Sequence, residues 1–409
     1  MEKTFHLLAG HFIDGTGCSI KKQVLLSVRD GSILSLEELR PGDIEGLGKI
    51  PFLDFSDCTV LPGLVDAHVH LTMSGTVDPR LREHQLDFSY EEAEQAISKH
   101  LFQHLSHGVV AVRDGGDASG YSLRYKLAGT SPSPAPVRYR VAGKAWHAPG
   151  RYGRLIGRSP EKGRTLAESI TQEPVGPDHI KIVNSGLNSL KQFGKMTPPQ
   201  FGSAELKAAI AAGLRRGWKT MVHANGDLPV AQALDAGCHS IEHGFFMGRS
   251  NLERIRDLRV YWTPTACTMK AYWEQLPSDG VEVDISRRNL DHQMEQISYA
   301  LRIGAPLTVG TDSGGLGLHH GASIIEELKL FVSAGFSLEG AIQCASSNGA
   351  QLLGLDKTLG TLRPGLGATF LVVKGAPSSL LTTLQHPVGV YVDGVPSVEN
   401  LPDPCDCTV

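Results

Sequence analysis

Between residues 61 and 354 the chain alternates, eight times, a short apolar run with a longer connecting stretch, several of them helical in pattern. The runs end near His70, Asp114, Trp146, Val183, His223, His243, Thr265 and Asp312. Between them lie segments such as YEEAEQAISKHLFQHLSHG, SAELKAAIAAGLRRG, DLPVAQALDAG and RRNLDHQMEQISYALRIG. Each of these closes on glycine, which readily takes the left-handed turn past a helix C-terminus. Eight strands alternating with helices is the count of a (β/α)8 barrel of the TIM type, an α/β fold with parallel strands inside and helices outside. A doubly wound sheet also alternates, but no glycine-rich phosphate loop follows any early strand here.

The two ends read differently. HLLAGHFIDGTG and QVLLSVRDGSILSLEE near the start, and LGTLRPGLGATFLVVKG and VGVYVDGVPS near the finish, are apolar runs broken by Gly and Asp-Gly turn signals, with no helical period. This predicts a small β-sandwich domain assembled from residues 1–60 and 355–409, with the barrel on 61–354.

Composition narrows the partners. With 39 Lys and Arg against 43 Asp and Glu, the net charge is −4, which excludes the broad basic footprint of a nucleic-acid binder. The longest apolar runs, residues 108–112 and 370–373, fall far below the ~18 residues of a membrane span. The N-terminus lacks the apolar stretch of a signal peptide, and the seven cysteines are an odd number in mostly apolar context. The expectation is a cytoplasmic protein with reduced thiols, no nucleic-acid partner and no membrane partner. Cys405 and Cys407 read as part of a frayed terminus rather than a metal site. Homo-oligomerisation is left open.

In barrels of this type the chemistry sits at the C-terminal ends of the strands, and the ionisable residues fall there. His68 and His70 in GLVDAHVHL are two apart and share one strand face. Lys181 lies in HIKIVNSG, His223 closes KTMVHANG, His243 closes HSIEHG, and Asp312 lies in PLTVGTDSGG. Singly, each has an ordinary role: a packed strand histidine, a snorkelling lysine, a turn-forming aspartate. Jointly, in order on strands 1, 4, 5, 6 and 8, they read as a metal-ligand set, because neutral imidazole and carboxylate suit Zn²⁺ and similar ions. Four His and one Asp exceed what one ion needs with a position left open. A second divalent ion needs an anionic bridge, which Lys181 would supply as a carbamate formed with CO2.

At these residues the chain resembles the amidohydrolase superfamily, metal-dependent hydrolases with a barrel and a companion β-sandwich. LPGLVDAHVHL is similar to the family's opening PG-x-x-D-x-H-x-H segment, HGVVAVRDGG to the strand-2 segment of its peptidase-like branch, and IEHG and GTDSG to the later ligand segments. FIDGTG and LGTLRPGLGATFLVVKG resemble the sandwich strands, so the resemblance covers nearly the whole chain. HIKIVNSG resembles the prolidase-like subgroup, whose strand-4 lysine is carboxylated and bridges a binuclear zinc centre. The resemblance implies that His68, His70 and Asp312 hold the buried ion, His223 and His243 the outer one, and Lys181 the bridge. Two positions depart from the pattern: Thr369 stands where the family usually has Asp, and Ala224-Asn225 follow His223 where peptidase-like members often carry a substrate-contacting tyrosine.

The implied activity is hydrolysis of an amide-type bond, in a dipeptide or N-acyl amino acid, by a hydroxide shared between the ions, with Asp312 as catalytic proton carrier. A mononuclear deaminase or a cyclic amide or lactone hydrolase is the alternative. Deamination calls for a His-x-x-Glu arrangement, whereas His223 is followed by Ala-Asn-Gly-Asp. A non-catalytic scaffold of the same fold is a further alternative, set against all six ligand positions being present. The segment KAWHAPGRYGRLIGR after strand 3 places His147, Arg151, Tyr152, Arg154 and Arg158 on an expected rim loop. Arginine forks suit a carboxylate, so the expected partner is a small-molecule substrate carrying one; Asn225 and His320 complete the candidate substrate contacts. Arg113 and Asp114 read as support behind the ligands. His100, His104 and His107 share a helix face and read as helix-end charges rather than a metal site.

Overall fold

The computed structural model describes residues 4–40, 42–43, 51–129, 136–174 and 176–398; the Cys405/Cys407 tail lies outside them. The chain opens with β1 (Thr4–Phe12), β2 (Lys21–Arg29), β3 (Ser32–Glu38) and β4 (Leu53–Pro62). The middle carries β5 (Leu64–Val69), β6 (Val109–Asp114), β7 (Arg138–Val141), β8 (Ala145–Trp146), β9 (Gly157–Arg158), β10 (His179–Val183), β11 (Lys219–Ala224), β12 (Ser240–His243) and β13 (Tyr261–Thr263). The end adds β14 (Phe370–Lys374), β15 (Gly389–Val392) and β16 (Val395–Pro396).

Strands from both ends join in one seven-stranded, sandwich-like sheet in the order β16-β15-β14-β4-β1-β2-β3. Its faces are both covered. Phe370 and Val372 on β14 pack with Phe12, Val24, Leu26 and Tyr391, while the alternate residues Leu371 and Val373 pack with Leu61, Val65 and Ile97. Burial on both faces is why FLVV reads as a continuous apolar run rather than an alternating one.

The middle strands are parallel and alternate with helices, the TIM-barrel type of α/β fold. They form two sheets, β5-β6-β7 and β13-β12-β11-β10-β8-β9. The third expected strand is split. β7 stays with β6 and β8 pairs with β10, around a bend where Gly143 takes φ +67°, a conformation cheap only for glycine. The eighth expected run forms no regular strand, yet its backbone is bonded on both sides. Trp262 N donates to Pro306 O and Thr308 N to Trp262 O, while Ala67 N donates to Val309 O and His70 N to Ser313 O.

The helices that matter below are α1 (Tyr90–Ser106), α2 (Ser203–Arg215), α3 (Asp227–Asp235), α4 (Cys267–Gln275), α5 (Val281–Ile303) and α6 (Ser323–Ser333). α1 starts at a reciprocal cap between Ser89 and Glu92. Cys18, Cys58, Cys238, Cys267 and Cys344 are free thiols. Among the described residues no helix is long and apolar enough to cross a membrane.

Candidate metal centre

His68 on β5 and His70 just past its end both bring Nε2 to Asp312, and Asp66 behind them ties the strand to the eighth run. Its carboxylate accepts from Thr311 N at 3.0 Å, Thr311 Oγ1 at 2.6 Å and His68 N at 3.2 Å. One nitrogen of each ligand-candidate imidazole is engaged by an oxygen. His68 Nδ1 lies 2.8 Å from Glu242 Oε2, His70 Nδ1 2.9 Å from Gly116 O, His243 Nδ1 2.7 Å from Thr265 Oγ1, and His223 Nε2 3.2 Å from Gly186 O. The carboxylate and carbonyl partners can only accept, so they hold a ring N–H of His68, His70 and His223 on that side and aim the other nitrogen inward.

The remaining donors converge. Asp312 Oδ1 is 3.4 Å from His68 Nε2 and 3.3 Å from His70 Nε2, and Lys181 Nζ is 3.4 Å from His68 Nε2. His68, His243 and Asp312 offer ligand atoms all within 4.8 Å of one another. The His223 ring centre is 4.6 Å from that of His243, and the His70 centre 5.6 Å from that of His68. Gly115 borders the cluster so closely that a Cβ there would sit 2.7 Å from His70 Cε1; only glycine leaves both rings in place.

Burial sets the charges. Desolvation, then the neighbouring Lys181, lowers His68 to about 4 and His223 to about 3, and desolvation takes His243 well below its ordinary value. Neutral imidazoles are the ligating form. Burial alone would push Asp312 up, but His68, His70 and His243 hold its carboxyl well below the usual range. Burial lowers the Lys181 ammonium to about 8. His243 and Asp312 both have left-handed backbone, at φ +68° and +60°, which costs on the order of 1 kcal/mol or more each in a non-glycine residue.

Behind the cluster lies a buried network that motif reading missed. Glu242 Oε1 accepts from Arg113 Nη2 at 2.7 Å and from Ser240 Oγ at 2.5 Å, while Arg113 Nε donates to Ala67 O at 2.8 Å. Arg113 thus fills the supporting role expected of it, by holding the carboxylate that orients His68. The signal for Glu242 was an acid inside a short, wholly buried strand, one residue before a candidate ligand, in SIEH.

An open cavity of about 570 Å³ lies over the cluster, with His223, His243, Asn225 and Asp312 among its lining residues. Tyr152 lies beside the cluster, with its ring 5.5 Å from that of His223, and desolvation and Asp312 both push its phenol up. Asn225 is buried, accepting from Phe245 N at 3.0 Å and donating to Gly186 O at 3.4 Å. His147 is buried too, bonded to Ala148 O at 2.9 Å.

The rim arginines do not converge on the cavity. Arg151 donates to Pro198 O at 3.1 Å, Arg158 lies over Trp146 and pairs with Glu173, and Arg154 lines a neighbouring cleft with Met73, Phe88 and Tyr121. His320 is turned away as well. Its Nε2 donates to Met73 O at 2.7 Å, its Nδ1 lies 3.0 Å from His104 Nε2, and its ring stacks on His100 at 4.1 Å. The reading of His100 and His104 as helix-end charges is corrected by this packing. Both are buried, and desolvation lowers them to about 4 and about 3, so they are neutral. His107, beside the end of α1, bonds to Gln103 O at 2.9 Å.

The sequence matches the Amidohydrolase family over residues 59–397. An ochratoxinase of Aspergillus niger is 23% identical over 220 residues, which are 53% of this chain and 44% of that protein, less than half its length. An uncharacterised protein of Mycobacterium tuberculosis is 23% identical over 346 residues, 82% of this chain and 84% of that one. In three dimensions the chain is similar to a Xaa-Pro dipeptidase crystallised with methionine in its active site, at a TM-score of 0.80 and 24% identity over 97% of this chain and 100% of that one. At that identity the likeness speaks for the fold.

Proposed function

Because the chain belongs to the amidohydrolase family, we propose that it is a metal-dependent hydrolase cleaving an amide-type C–N bond in a small molecule. One observation carries this reading: Lys181 Nζ and His70 Nε2 flank the His68–Asp312 pair at 3.4 and 3.3 Å, beside a cavity that His223, His243 and Asp312 line. The donor set fits divalent ions, since it combines imidazoles braced on their far sides, three of them kept neutral by burial, with an ionised carboxylate and a buried amine. In a prolidase-like arrangement, His68, His70 and Asp312 would hold one ion, His223 and His243 a second, and Lys181 as its carbamate would bridge them. Zn²⁺ suits so nitrogen-rich a set. With burial lowering it to about 8, a fraction of Lys181 is the neutral amine that adds to CO2. Bound ions supply Lewis acidity and lower the proton affinity of water.

The chain's own residues do the rest. Glu242, anchored by Arg113, keeps the His68 proton on Nδ1 and the Nε2 lone pair inward. Asp312, held ionised, takes the proton of the attacking water and passes it to the leaving nitrogen. Tyr152 and Tyr272, both pushed up by burial and by Asp312, remain protonated donors beside the floor. Glu242 has both oxygens occupied, so it is not free to act as the acid of a ring deaminase.

The organisation we propose keeps the barrel on 61–354, with its ring closing through 306–313, and the sandwich on 1–60 with 355–409. The backbone bonds on both sides of 306–313 support the first part. The second is supported by a separate apolar cluster drawn from residues between Leu7 and Val60 and between Leu362 and Tyr391.

The test is elemental analysis of protein expressed with added zinc and bicarbonate, alongside amine release from a panel of dipeptides and N-acyl amines. Near two equivalents of metal with turnover is expected. One equivalent would favour a mononuclear centre, and metal-loaded protein inert on the whole panel would reject the hydrolase.

A further inference from the structure

The scissile carbonyl of any substrate must face the floor of the cavity, so the rest of the molecule meets the walls. Those walls are Leu187, Leu190, Phe245, Met269, Tyr272 and Leu318. Among the described residues no arginine or lysine lines the cavity, and Asp312 is its one acid. The other polar lining groups are neutral. One of them, Asn188, has its Oδ1 buried without a hydrogen-bond partner, which an N–H on a ligand would satisfy.

The cations that would answer a carboxylate are engaged elsewhere: Arg151 on Pro198 O and Arg158 on Trp146 and Glu173. Arg154 opens onto the separate cleft beside Phe88 and Tyr121. A carboxylate pressed against Leu187 and Met269 would lose its hydration with no cationic side chain beside it in return. We infer that the substrate is a neutral secondary amide or carbamate whose wall-facing group is an apolar aryl or alkyl unit, with its N–H toward Asn188. This rests on the hydrolase reading of the same site, and it replaces the carboxylate-bearing substrate that the rim arginines suggest.

The test uses N-acetyl-2-phenylethylamine and N-acetyl-L-phenylalanine, which differ only in the carboxylate. Binding of each to the metal-loaded protein is measured by calorimetry, and amine release is followed in parallel. The neutral ligand should bind at least about tenfold tighter. Leu187→Arg, at a wall position that is 53% exposed and so tolerant of a long side chain, should narrow or reverse that ratio. Equal or tighter binding of the acid, no binding of either ligand, or an unchanged ratio in Leu187→Arg would each overturn the inference. If the neutral ligand binds with the expected preference but no amide in the panel is cleaved, the hydrolase reading falls and the pocket assignment stands.

Discussion

Whether His68 can act as a ligand is decided one residue away from any ligand, in the buried series Arg113–Glu242–His68. Burial alone would raise the Glu242 carboxyl, but Arg113 and His68 hold it well below the usual range. Glu242→Gln keeps the shape and removes the charge. A single amide oxygen then has to serve both His68 and Arg113, and the buried guanidinium loses its counter-ion. Metal affinity should fall by about 10–100-fold, and stability by roughly 3–5 kcal/mol. Competition with a chelator and thermal unfolding read the two effects separately; unaltered affinity with lost stability would show that Glu242 serves Arg113 alone. Asp312→Asn asks a different question. It should retain at least one metal while turnover drops at least about 100-fold, and near-normal turnover would remove Asp312 as proton carrier. His68, His70, Lys181, His223, His243 and Asp312 were legible because strand-end position and residue type both mark them. Glu242 was not, because neighbours on a strand face opposite ways. Glu242 and His243 both point inward only because His243 turns to φ +68°, which no side-chain pattern announces.

Helix α4 brings Thr268, Met269 and Tyr272 to the cavity wall, and its direction is set from α6. Glu327 accepts from Ala266 N at 3.0 Å and from Cys267 N at 2.7 Å, spanning the start of α4 with one buried carboxylate. Burial raises that carboxyl from 4.5 to about 7, and the backbone donors offset only part of the shift. The folded state therefore holds a proton that the unfolded chain has released. Stability from this group is full below about 4.5 and falls as pH rises through the window to about 7, by on the order of 3 kcal/mol. Glu327→Gln carries no titrating proton there, so its unfolding midpoint should vary less between pH 5 and pH 7.5, conditions chosen to bracket the window. Denaturant titrations at those two pH values check this, and parallel curves for the two proteins would refute it. At this scale the sequence was partly legible. Helices α2 and α3 fall on their expected segments, but α5 begins at Val281, ahead of the expected Arg287. The split at Gly143 and the irregular run 306–313 escaped, since both depend on backbone turns. So did the stack of His100, His104 and His320, where His104 and His320 meet across 216 residues.

Taken over the whole chain, the six candidate ligands come from β5 and the residue after it, from β10, β11 and β12, and from the run 306–313, segments far apart in the sequence. The seven-stranded sheet contributes none of them. A bound ion stabilises the folded state by mass action, by about 4 kcal/mol at a thousandfold excess over its dissociation constant. In a protein of this size that is worth roughly 5 °C in Tm. The stabilisation should also be local, because an ion held by the six candidate ligands would join strand ends in the middle of the chain and would meet none of Leu7, Val24 and Phe370. Chelation should therefore lower Tm by several degrees and speed amide exchange in β5, β10, β11 and β12 while leaving β1 and β2 protected. Zinc with bicarbonate should restore both. On the proposed carbamate, the recovery in Lys181→Ala should no longer depend on bicarbonate, because the amine that would take up CO2 is gone. Equal loss of protection in β1, β2 and the metal-bearing strands would mean that the two parts unfold as one unit, and bicarbonate dependence surviving in Lys181→Ala would place the carbamate elsewhere.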